Sequence, residues 1–343
     1  MNKIDFGKWS RIARYQEKLP NKVVHCHVCP HNCQIPEGKL GSCKTRFNHQ
    51  GKLYSLAYGN PCSVSVDPIE KKPLFHFFPG SKIYSLATAG CNFRCLNCQN
   101  WQISQASPQE LDHFDLMPEE VVQQALQFGT NMIAFTYTEP TVFYEYVYET
   151  ARIAHKNGLK TVLISNGYIN QKPLIYLCPY LDAANIDLKC FDDAVYRNLD
   201  GGSLQPVLDT LLTLKKKGVW LEITNLLIPT YSDNPQMIQA MCAWLVGNGF
   251  ADTPLHFNRF FPTYKLSHLQ PTKKGLLIQA KEIAQHEGMK YVYVGNLHDK
   301  SGENTHCPHC KRVVVERTGF AVKKNFILND QRCFCGEPIS GIW

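Results

Sequence analysis

The segment AGCNFRCLNCQNW at residues 89–101 holds three cysteines, which are Cys91, Cys95 and Cys98. Clustered thiolates of this kind are ligands for iron–sulfur clusters and for zinc. A [4Fe–4S] cluster normally takes four cysteines, so three leave one iron open to a substrate or cofactor. Cys62 and His113 are the nearest further ligands, but neither has the close spacing of one chelating loop. The segment predicts a [4Fe–4S] cluster with one open iron; a zinc site completed by a distant histidine is the alternative.

A second group of four cysteines precedes this loop. It consists of Cys26, Cys29, Cys33 and Cys43. Four thiolates complete a ligand set, and two metals suit them. Zinc would make a structural knuckle, whereas a second [4Fe–4S] cluster would serve electron relay or substrate binding. The interleaved His25, His27 and His31 are potential substitute ligands, and the sequence leaves both metals open.

A third group closes the chain and has the spacing of a zinc ribbon. It consists of Cys307, Cys310, Cys333 and Cys335. Two short cysteine turns joined by a β-rich segment predict a tetrahedral Zn²⁺ site that staples a small domain. The second turn is one residue shorter than usual, and His306 and His309 are potential substitutes. The remaining cysteines are assigned to packing: Cys62, Cys178, Cys190 and Cys242.

The bulk composition is that of a globular chain. It has 343 residues, 44% of them hydrophobic, and 15 cysteines without a secretory signal, which favours metal ligation in a cytoplasmic protein over disulfides. No apolar run is long enough to span a membrane. The net charge of +7 leaves a nucleic-acid partner open, although no dense basic run supports it. The N-terminal residues predict a short amphipathic helix.

From residue 81 onwards, short apolar runs alternate with helical patterns. This alternation predicts βαβ units and a parallel sheet, with about six units forming a barrel or partial barrel. The predicted strands are 82–89, 132–137, 160–165, 181–189, 219–228, 254–260 and 290–295. The predicted helices are 117–128, 141–157, 171–178, 204–217, 234–248 and 271–287. The predicted division is a Cys-rich segment and wrap (1–80), the barrel (81–297) and the ribbon-like tail (298–343).

The three-cysteine loop after the first barrel strand resembles the radical S-adenosylmethionine (SAM) superfamily. The segments GCNFRCLNCQNWQIS, VDPIEKKPLFHFFPGS, CHVCPHNCQIPEGKLGSC and CGEPISGIW resemble the AmmeMemoRadiSam branch, which is close to pyruvate formate-lyase activating enzymes. The resemblance covers nearly the whole chain. It implies an α/β fold with a partial (β/α)6 TIM-like barrel, a [4Fe–4S] cluster and SAM. It also implies reductive cleavage of SAM to a 5′-deoxyadenosyl radical that abstracts hydrogen from a substrate.

By the same resemblance, the ends of the second and third strands contact SAM. Glu139 would receive the SAM amino group beside Thr138, where the family usually has Gly-Gly-Glu and this chain has Tyr137 and Thr138. The alternative is that Glu139 only caps the following helix. At the third strand end, the resemblance directs Ser165 and Asn166 towards SAM, although Ser-Asn-Gly is also an ordinary turn.

The fourth strand ends in Asp187 and Lys189, which share one face because they are two residues apart. The resemblance implies that both contact SAM; the alternative is a mutual salt bridge. His256 on the sixth strand is a further candidate for the SAM pocket, or a structural histidine. Asn97 stands where the family often has an aromatic residue beside adenine, and Trp101 is a candidate replacement.

Three functions compete at this point. The first is a radical SAM enzyme acting on a small molecule or nucleotide. The second is an activase that installs a glycyl radical on a partner enzyme, and the third is a non-catalytic cluster or zinc protein that binds RNA. The resemblance implies an electron donor of flavodoxin or ferredoxin type, and Memo-like and AMMECR-type proteins as partners. The substrate and the oligomeric state do not follow from the sequence.

Overall fold

The N-terminal segment is built from short antiparallel strands. The structure is a computed structural model that describes residues 7–297 and 302–343. Its first strands are β1 (Arg11–Ile12), β2 (Gln16–Lys18), β3 (Val24–Cys26), β4 (Gln34–Ile35), β5 (Arg46–His49) and β6 (Lys52–Ser55). They form two small sheets, ordered β1-β6-β5 and β2-β3-β4. The helix predicted at the N-terminus is wrong for residues 7–19, and residues 1–6 lie outside the described part.

One eight-stranded sheet forms the centre of the molecule. Its strands are β7 (Ser63–Pro68), β8 (Lys82–Ala87), β9 (Met132–Phe135), β10 (Lys160–Ser165), β11 (Ala183–Asp187), β12 (Trp220–Leu227), β13 (Leu255–Arg259) and β14 (Val292–Gly295). They are ordered sequentially from β14 to β7, and only the β7–β8 pair is antiparallel. No ladder in the described part joins β7 to β14, so the sheet is an open barrel.

Helices connect the parallel strands. They are α1 (Trp101–Ser104), α2 (Pro118–Gln127), α3 (Tyr144–Lys156), α4 (Gln171–Leu177), α5 (Asp193–Asp200), α6 (Leu204–Lys216), α7 (Pro235–Gly247) and α8 (Lys274–His286). Short 3-10 helices occupy Pro20–Lys22, Ile69–Lys71, Pro108–Glu110, Pro140–Phe143, Cys178–Tyr180 and Tyr264–Leu266. Six helical crossovers link β8 to β14, which confirms the predicted partial (β/α)6 barrel. None of the described helices combines the length and the apolar character needed to cross a bilayer.

The seven predicted strands and six predicted helices are confirmed to within a few residues. The prediction missed β7, α1 and α5, and it also placed no strands at β1 to β6. The strand β7 was predicted as an extended wrap, but it pairs along the edge of the main sheet. The helix α5 carried recognisable end signals: the Asp192 side chain accepts a hydrogen bond from the backbone N–H of Val195, and Gly201 ends the helix at φ 76°.

The C-terminal tail packs against the segment between β7 and β8. Its strands β15 (Thr305–His306), β16 (Val313–Thr318) and β17 (Ala321–Asn325) form an antiparallel sheet. At the chain end, the Phe78 N–H donates to the Ile342 carbonyl and the Ile342 N–H donates to the His76 carbonyl, each at 2.7 Å. The predicted boundary at residue 80 lies between β7 and β8, and the one at 297 meets the undescribed residues, so the three-part division stays a prediction.

A glycine allows the N-terminal segment to approach the end of β8. Gly90 has φ 94°, and a Cβ at this position would lie 2.6 Å from the Cys43 carbonyl oxygen and would clash with the Thr45 methyl group. The N-terminal cysteine group therefore lies directly against the residue that precedes Cys91.

Replacing Gly90 by alanine should destabilise the protein by about 3 kcal/mol, because the left-handed backbone and the crowded Cβ both oppose the change. Gly158→Ala is the matched control: it has φ 74° and no atom near the added Cβ, so it should cost about 1 kcal/mol. Denaturant unfolding of the two variants measures both values. Equal costs would contradict the close packing at Gly90.

Candidate functional site

A cavity of about 610 Å³ opens at the carboxyl ends of the parallel strands. This volume lies in the range of small-molecule sites, and this end of a β/α barrel is where catalytic residues gather. Cys91, Cys95 and Cys98 line it. Six of the seven residues predicted to hold SAM also line it: Thr138, Glu139, Ser165, Asn166, Asp187 and Lys189. The seventh, His256, does not.

The cysteine loop is held by backbone contacts with the end of α5. The Arg94 N–H donates to the Asp200 carbonyl at 2.7 Å, and the Leu96 N–H donates to the Leu199 carbonyl at 2.9 Å. The Phe93 ring packs against Gly202, where a Cβ would clash with it. These contacts fix the loop that carries the three cysteines.

Burial opposes the thiolate form of two cysteines in this loop. Burial raises the pKa of Cys91, and the nearby Glu139 carboxylate raises it further; burial also raises the pKa of Cys95. Metal binding would supply the positive charge that a buried thiolate needs. The Cys91 Sγ also accepts a hydrogen bond from the Phe93 N–H at 3.3 Å, and the Cys98 Sγ lies 3.2 Å from the Ser104 Oγ.

The Glu139 carboxylate ties two strand ends together. Its Oε1 accepts hydrogen bonds from the Thr141 N–H (2.9 Å), the Thr141 hydroxyl (2.6 Å) and the Ser165 hydroxyl (2.8 Å). Its Oε2 accepts from the Asn166 N–H at 2.9 Å. Burial raises the pKa of Glu139, while these donors lower it. Glu139 therefore caps the helix at Pro140–Phe143, which was the alternative interpretation, and also lines the cavity.

Asparagine side chains extend this network into the cysteine loop. The Asn166 Nδ2 donates to the Asn92 Oδ1 at 2.8 Å, and the Asn92 Nδ2 donates to the Tyr168 carbonyl at 2.8 Å. The sequence analysis did not single out Asn92, although it lies beside Cys91. The chain Glu139–Asn166–Asn92 sets the position of the loop relative to the strand ends.

Asp187 and Lys189 form an ion pair at 2.9 Å while lining the cavity. Burial lowers the pKa of Lys189, but the Asp187 carboxylate, the Cys95 side chain and the Asp200 carboxylate outweigh it and raise the pKa well above its usual value. Burial raises the pKa of Asp200 to about 6, with the Lys189 ammonium opposing it. The sequence analysis missed Asp200 because it lies at the end of the unpredicted helix α5.

Tyr137 stands where the family usually has a glycine, and its backbone is in the left-handed region at φ 62°. The Asn100 Nδ2 donates to its carbonyl at 2.7 Å, and its hydroxyl donates to Asp67. These contacts hold a conformation that costs a non-glycine residue about 1–2 kcal/mol. The Thr138 hydroxyl donates to the Thr88 carbonyl at 2.8 Å.

His256 lies in a neighbouring cavity rather than among the cysteines. Its Nε2 is 2.7 Å from the Glu222 Oε2, and Glu222 also accepts hydrogen bonds from the N–H groups of Phe75 and His76. These contacts support the structural interpretation of His256. Phe320, from the tail, lines both cavities, and no local sequence pattern indicated this position.

The two residues considered for adenine differ in their surroundings. Trp101 is 40% exposed, stacks on Tyr264 at 5.2 Å and is not among the residues lining the cavity. Asn97 lines the cavity, and its buried Oδ1 has no hydrogen-bond partner in the described part of the chain. An acceptor without a partner beside the cysteine loop suits a ligand that donates a hydrogen bond.

The C-terminal cysteines form a compact group. The Sγ atoms of Cys307, Cys310, Cys333 and Cys335 all lie within 4.8 Å of one another. The Cys307–Cys335 and Cys310–Cys333 Sγ distances are both 3.6 Å. Zn–S bonds of about 2.3 Å in a tetrahedron place the sulfurs about 3.8 Å apart. The geometry therefore suits one metal ion, without His306 or His309.

The N-terminal cysteines Cys26, Cys29, Cys33 and Cys43 line one small cavity. His25 and His27 lie instead with Glu17 in a separate, more exposed group. Of the cysteines assigned to packing, Cys178, Cys190 and Cys242 are buried and Cys62 is half-buried.

Comparison with known proteins gives the family. The sequence model of the Radical SAM superfamily matches residues 85–245. The chain is 46% identical over 331 residues to the uncharacterized protein MJ0808 of Methanocaldococcus jannaschii, covering 96% of this chain and 98% of that protein. It is 26% identical over 220 residues to pyruvate formate-lyase 1-activating enzyme of Escherichia coli K12, covering 60% and 89% of the two chains.

Among solved structures, a domain of pyruvate-formate lyase-activating enzyme from Bacteroides vulgatus matches with a TM-score of 0.40 at 16% identity, covering 48% of this chain and 98% of that one.

The chain belongs to the radical SAM superfamily and is close to the pyruvate formate-lyase activating enzymes. It is an enzyme, which removes the non-catalytic alternative. Membership implies a [4Fe–4S] cluster, SAM and an electron donor. The AmmeMemoRadiSam branch and its Memo-like and AMMECR-type partners stay predictions.

Proposed function

We propose that this enzyme cleaves SAM reductively at a [4Fe–4S] cluster held by Cys91, Cys95 and Cys98. The observation that carries the proposal is the convergence of these three thiols with polar strand-end residues on one cavity. When bound, the cluster supplies one electron that breaks the S–C5′ bond of SAM, giving methionine and a 5′-deoxyadenosyl radical that abstracts hydrogen from a substrate. The electron comes from a donor of flavodoxin or ferredoxin type.

The polar groups of the cavity match the groups of SAM. Among the residues that the structure describes, the Oε2 of Glu139 accepts one hydrogen bond, so it can accept another from the SAM ammonium group. Lys189 carries the positive charge that attracts the methionyl carboxylate, and Asp187 suits the ribose hydroxyls. The unpartnered Oδ1 of Asn97 would accept a hydrogen bond from the adenine amino group. If Cys91, Cys95 and Cys98 hold the cluster, they would ligate three of its irons, and the amino and carboxylate groups of SAM would be suitable ligands for the remaining one.

The neighbouring cavity supports a small-molecule substrate. It has about 500 Å³, and Phe320, Asn258, Asn296, Lys71 and Gln99 line both cavities. A substrate there would lie beside the radical. The similarity to pyruvate formate-lyase activating enzymes favours the alternative, in which a glycyl radical is installed on a partner enzyme. A protein glycyl radical detected by electron paramagnetic resonance (EPR) with one partner protein present would favour the activase.

Replacing Cys91 by alanine should abolish formation of 5′-deoxyadenosine, because the cluster would lose one of three ligands. The measurement is chromatography of the products after anaerobic reconstitution, reduction and addition of SAM. Cys242→Ala removes a buried cysteine outside the cavity and should leave the yield unchanged. Undiminished 5′-deoxyadenosine from the Cys91 variant would refute the cluster assignment.

Replacing Asp187 by asparagine should weaken SAM binding by about ten- to one-hundredfold, because a hydrogen bond to a charged group contributes about 1.5–3 kcal/mol. Asp193→Asn is the control. It removes the same charge as Asp187→Asn, but from an exposed ion pair with Arg197. Equilibrium binding of SAM to the cluster-loaded protein gives both dissociation constants. Equal SAM affinities in the two variants would show that Asp187 pairs with Lys189 but does not contact SAM.

We also propose that the C-terminal cysteines hold one structural zinc ion. Cys307→Ser should release this zinc and lower the unfolding temperature, because the tail would lose its staple. Elemental analysis of purified protein gives the zinc content per chain. Retention of zinc by Cys307→Ser, together with loss in the N-terminal Cys29→Ser variant, would place the zinc at the other group.

A further inference from the structure

The N-terminal cysteine group differs from the C-terminal one in the distances between its Sγ atoms. No three of the Sγ atoms of Cys26, Cys29, Cys33 and Cys43, all in the described part, form a group within 4.8 Å as the C-terminal sulfurs do. The loop of Cys91, Cys95 and Cys98 is likewise not such a compact group. A single zinc ion gathers its sulfurs closely, whereas a [4Fe–4S] cube holds one thiolate at each iron and spreads them apart. The wider arrangement favours a cluster.

The surroundings of this group have the composition of a cluster pocket. Val28, Ile35 and Val142 complete much of the cavity wall around the four cysteines. Two hydroxyls approach the sulfurs: the Ser42 Oγ lies 3.3 Å from the Cys33 Sγ, and the Thr45 Oγ1 lies 3.3 Å from the Cys43 Sγ. Apolar walls and hydrogen bonds to the sulfurs are the features that set the potential of a protein-bound cluster.

A buried guanidinium faces the same cavity. Arg46 is 2% exposed, lines the cavity and donates from Nη1 to the Glu145 Oε1 at 2.8 Å. Its Nη2 is buried and has no hydrogen-bond partner among the described residues. A buried donor without a partner is costly, and a group bearing thiolates and inorganic sulfide would supply both the acceptor and the negative charge.

The two cysteine groups lie side by side. Gly90, which precedes Cys91, approaches the Cys43 carbonyl so closely that a Cβ would lie 2.6 Å from it. The His31 Nε2 donates to the Asn92 carbonyl at 2.7 Å, and the Arg94 side chain donates to the Ser42 carbonyl. The cysteine-bearing segments of both groups are thus in direct contact.

We propose that Cys26, Cys29, Cys33 and Cys43 hold a second [4Fe–4S] cluster, with every iron ligated by the protein, that passes electrons to the cluster at Cys91, Cys95 and Cys98. The metal site stands on its own, whereas the relay role rests on the proposed SAM cleavage. A one-electron donor of ferredoxin or flavodoxin type reduces the N-terminal cluster from the 2+ to the 1+ state and is itself oxidised by one electron. The N-terminal cluster returns to 2+ as that electron reduces its neighbour from 2+ to 1+.

The direct test is iron and zinc analysis with Mössbauer spectroscopy of the anaerobically reconstituted full chain. The wild type should hold about eight irons per chain, because each [4Fe–4S] cluster contains four. The Cys91→Ala/Cys95→Ala/Cys98→Ala variant should keep about four irons and an EPR signal on reduction. Wild-type protein with about four irons and two zinc ions, and a triple variant without iron, would overturn the second cluster.

Adding SAM to the wild type gives an independent measurement without mutation. SAM should perturb the Mössbauer signal of one iron belonging to one cluster and leave the signals of the other cluster unchanged. A single set of cluster signals would contradict the proposal. Because iron content does not depend on SAM cleavage, failure of the proposed function would leave this result intact.

The relay is tested with Cys29→Ala/Cys33→Ala. This variant should lose about four irons. It should still cleave SAM when dithionite is the reductant, and at least tenfold more slowly than that when a reduced ferredoxin is the reductant. Equal rates with both reductants would overturn the relay role.

Replacing Arg46 and Glu145 together by glutamine should lower the midpoint potential of the N-terminal cluster and leave that of the other cluster unchanged. Of the two charges removed, the positive charge of Arg46 lines the cluster cavity and the negative charge of Glu145 does not, and a positive charge near the cluster favours its reduced form. An unchanged N-terminal potential would contradict the role given to Arg46.

Discussion

The buried carboxylate of Glu139 holds together the strand ends on which the site depends. It accepts hydrogen bonds from the residues that follow β9 and from Ser165 and Asn166 at the end of β10. Asn166 carries the connection on to Asn92 in the cysteine loop. A carboxylate in this position is costly to bury unless donors compensate it, so the three elements must meet in one arrangement. That arrangement brings the thiols and the polar residues to one cavity.

The segments before and after the barrel also contribute to the site. The N-terminal segment packs closely against Gly90 at the start of the cysteine loop, and Phe320 of the tail lines both the cavity of the cysteine loop and its neighbour. The three cysteine groups also differ in geometry, and the metals proposed for them account for the difference. Sulfurs drawn together suit one ion, and sulfurs spread apart suit a cluster. In this account, residues of the barrel bind SAM. The N-terminal segment holds the cluster that is proposed to pass electrons, and the tail contributes Phe320 to the cavity wall.

The sequence was sufficient for the elements whose signals are local. The alternation of apolar runs with helical periodicity located the strands β8 to β14. Cysteine spacing located the N-terminal group, the three-cysteine loop and the tail group, of which the first two each line a cavity. It was insufficient where position depends on distant contacts. Glu139 could be a cap or a ligand, and only the fold shows that it caps a helix and lines the cavity. Asp200 and Phe320 come close to the site through packing between segments far apart in sequence, which no local pattern records.

The central claim is that SAM binds the iron left open by Cys91, Cys95 and Cys98. Electron–nuclear double resonance on the reduced protein, with SAM labelled by ¹⁵N in its amino group and ¹⁷O in its carboxylate, tests this claim directly. The account predicts hyperfine coupling of both labels to the cluster, lost when the three cysteines are replaced by alanine. A reduced, cluster-loaded wild-type protein that binds labelled SAM without coupling to either label would contradict it.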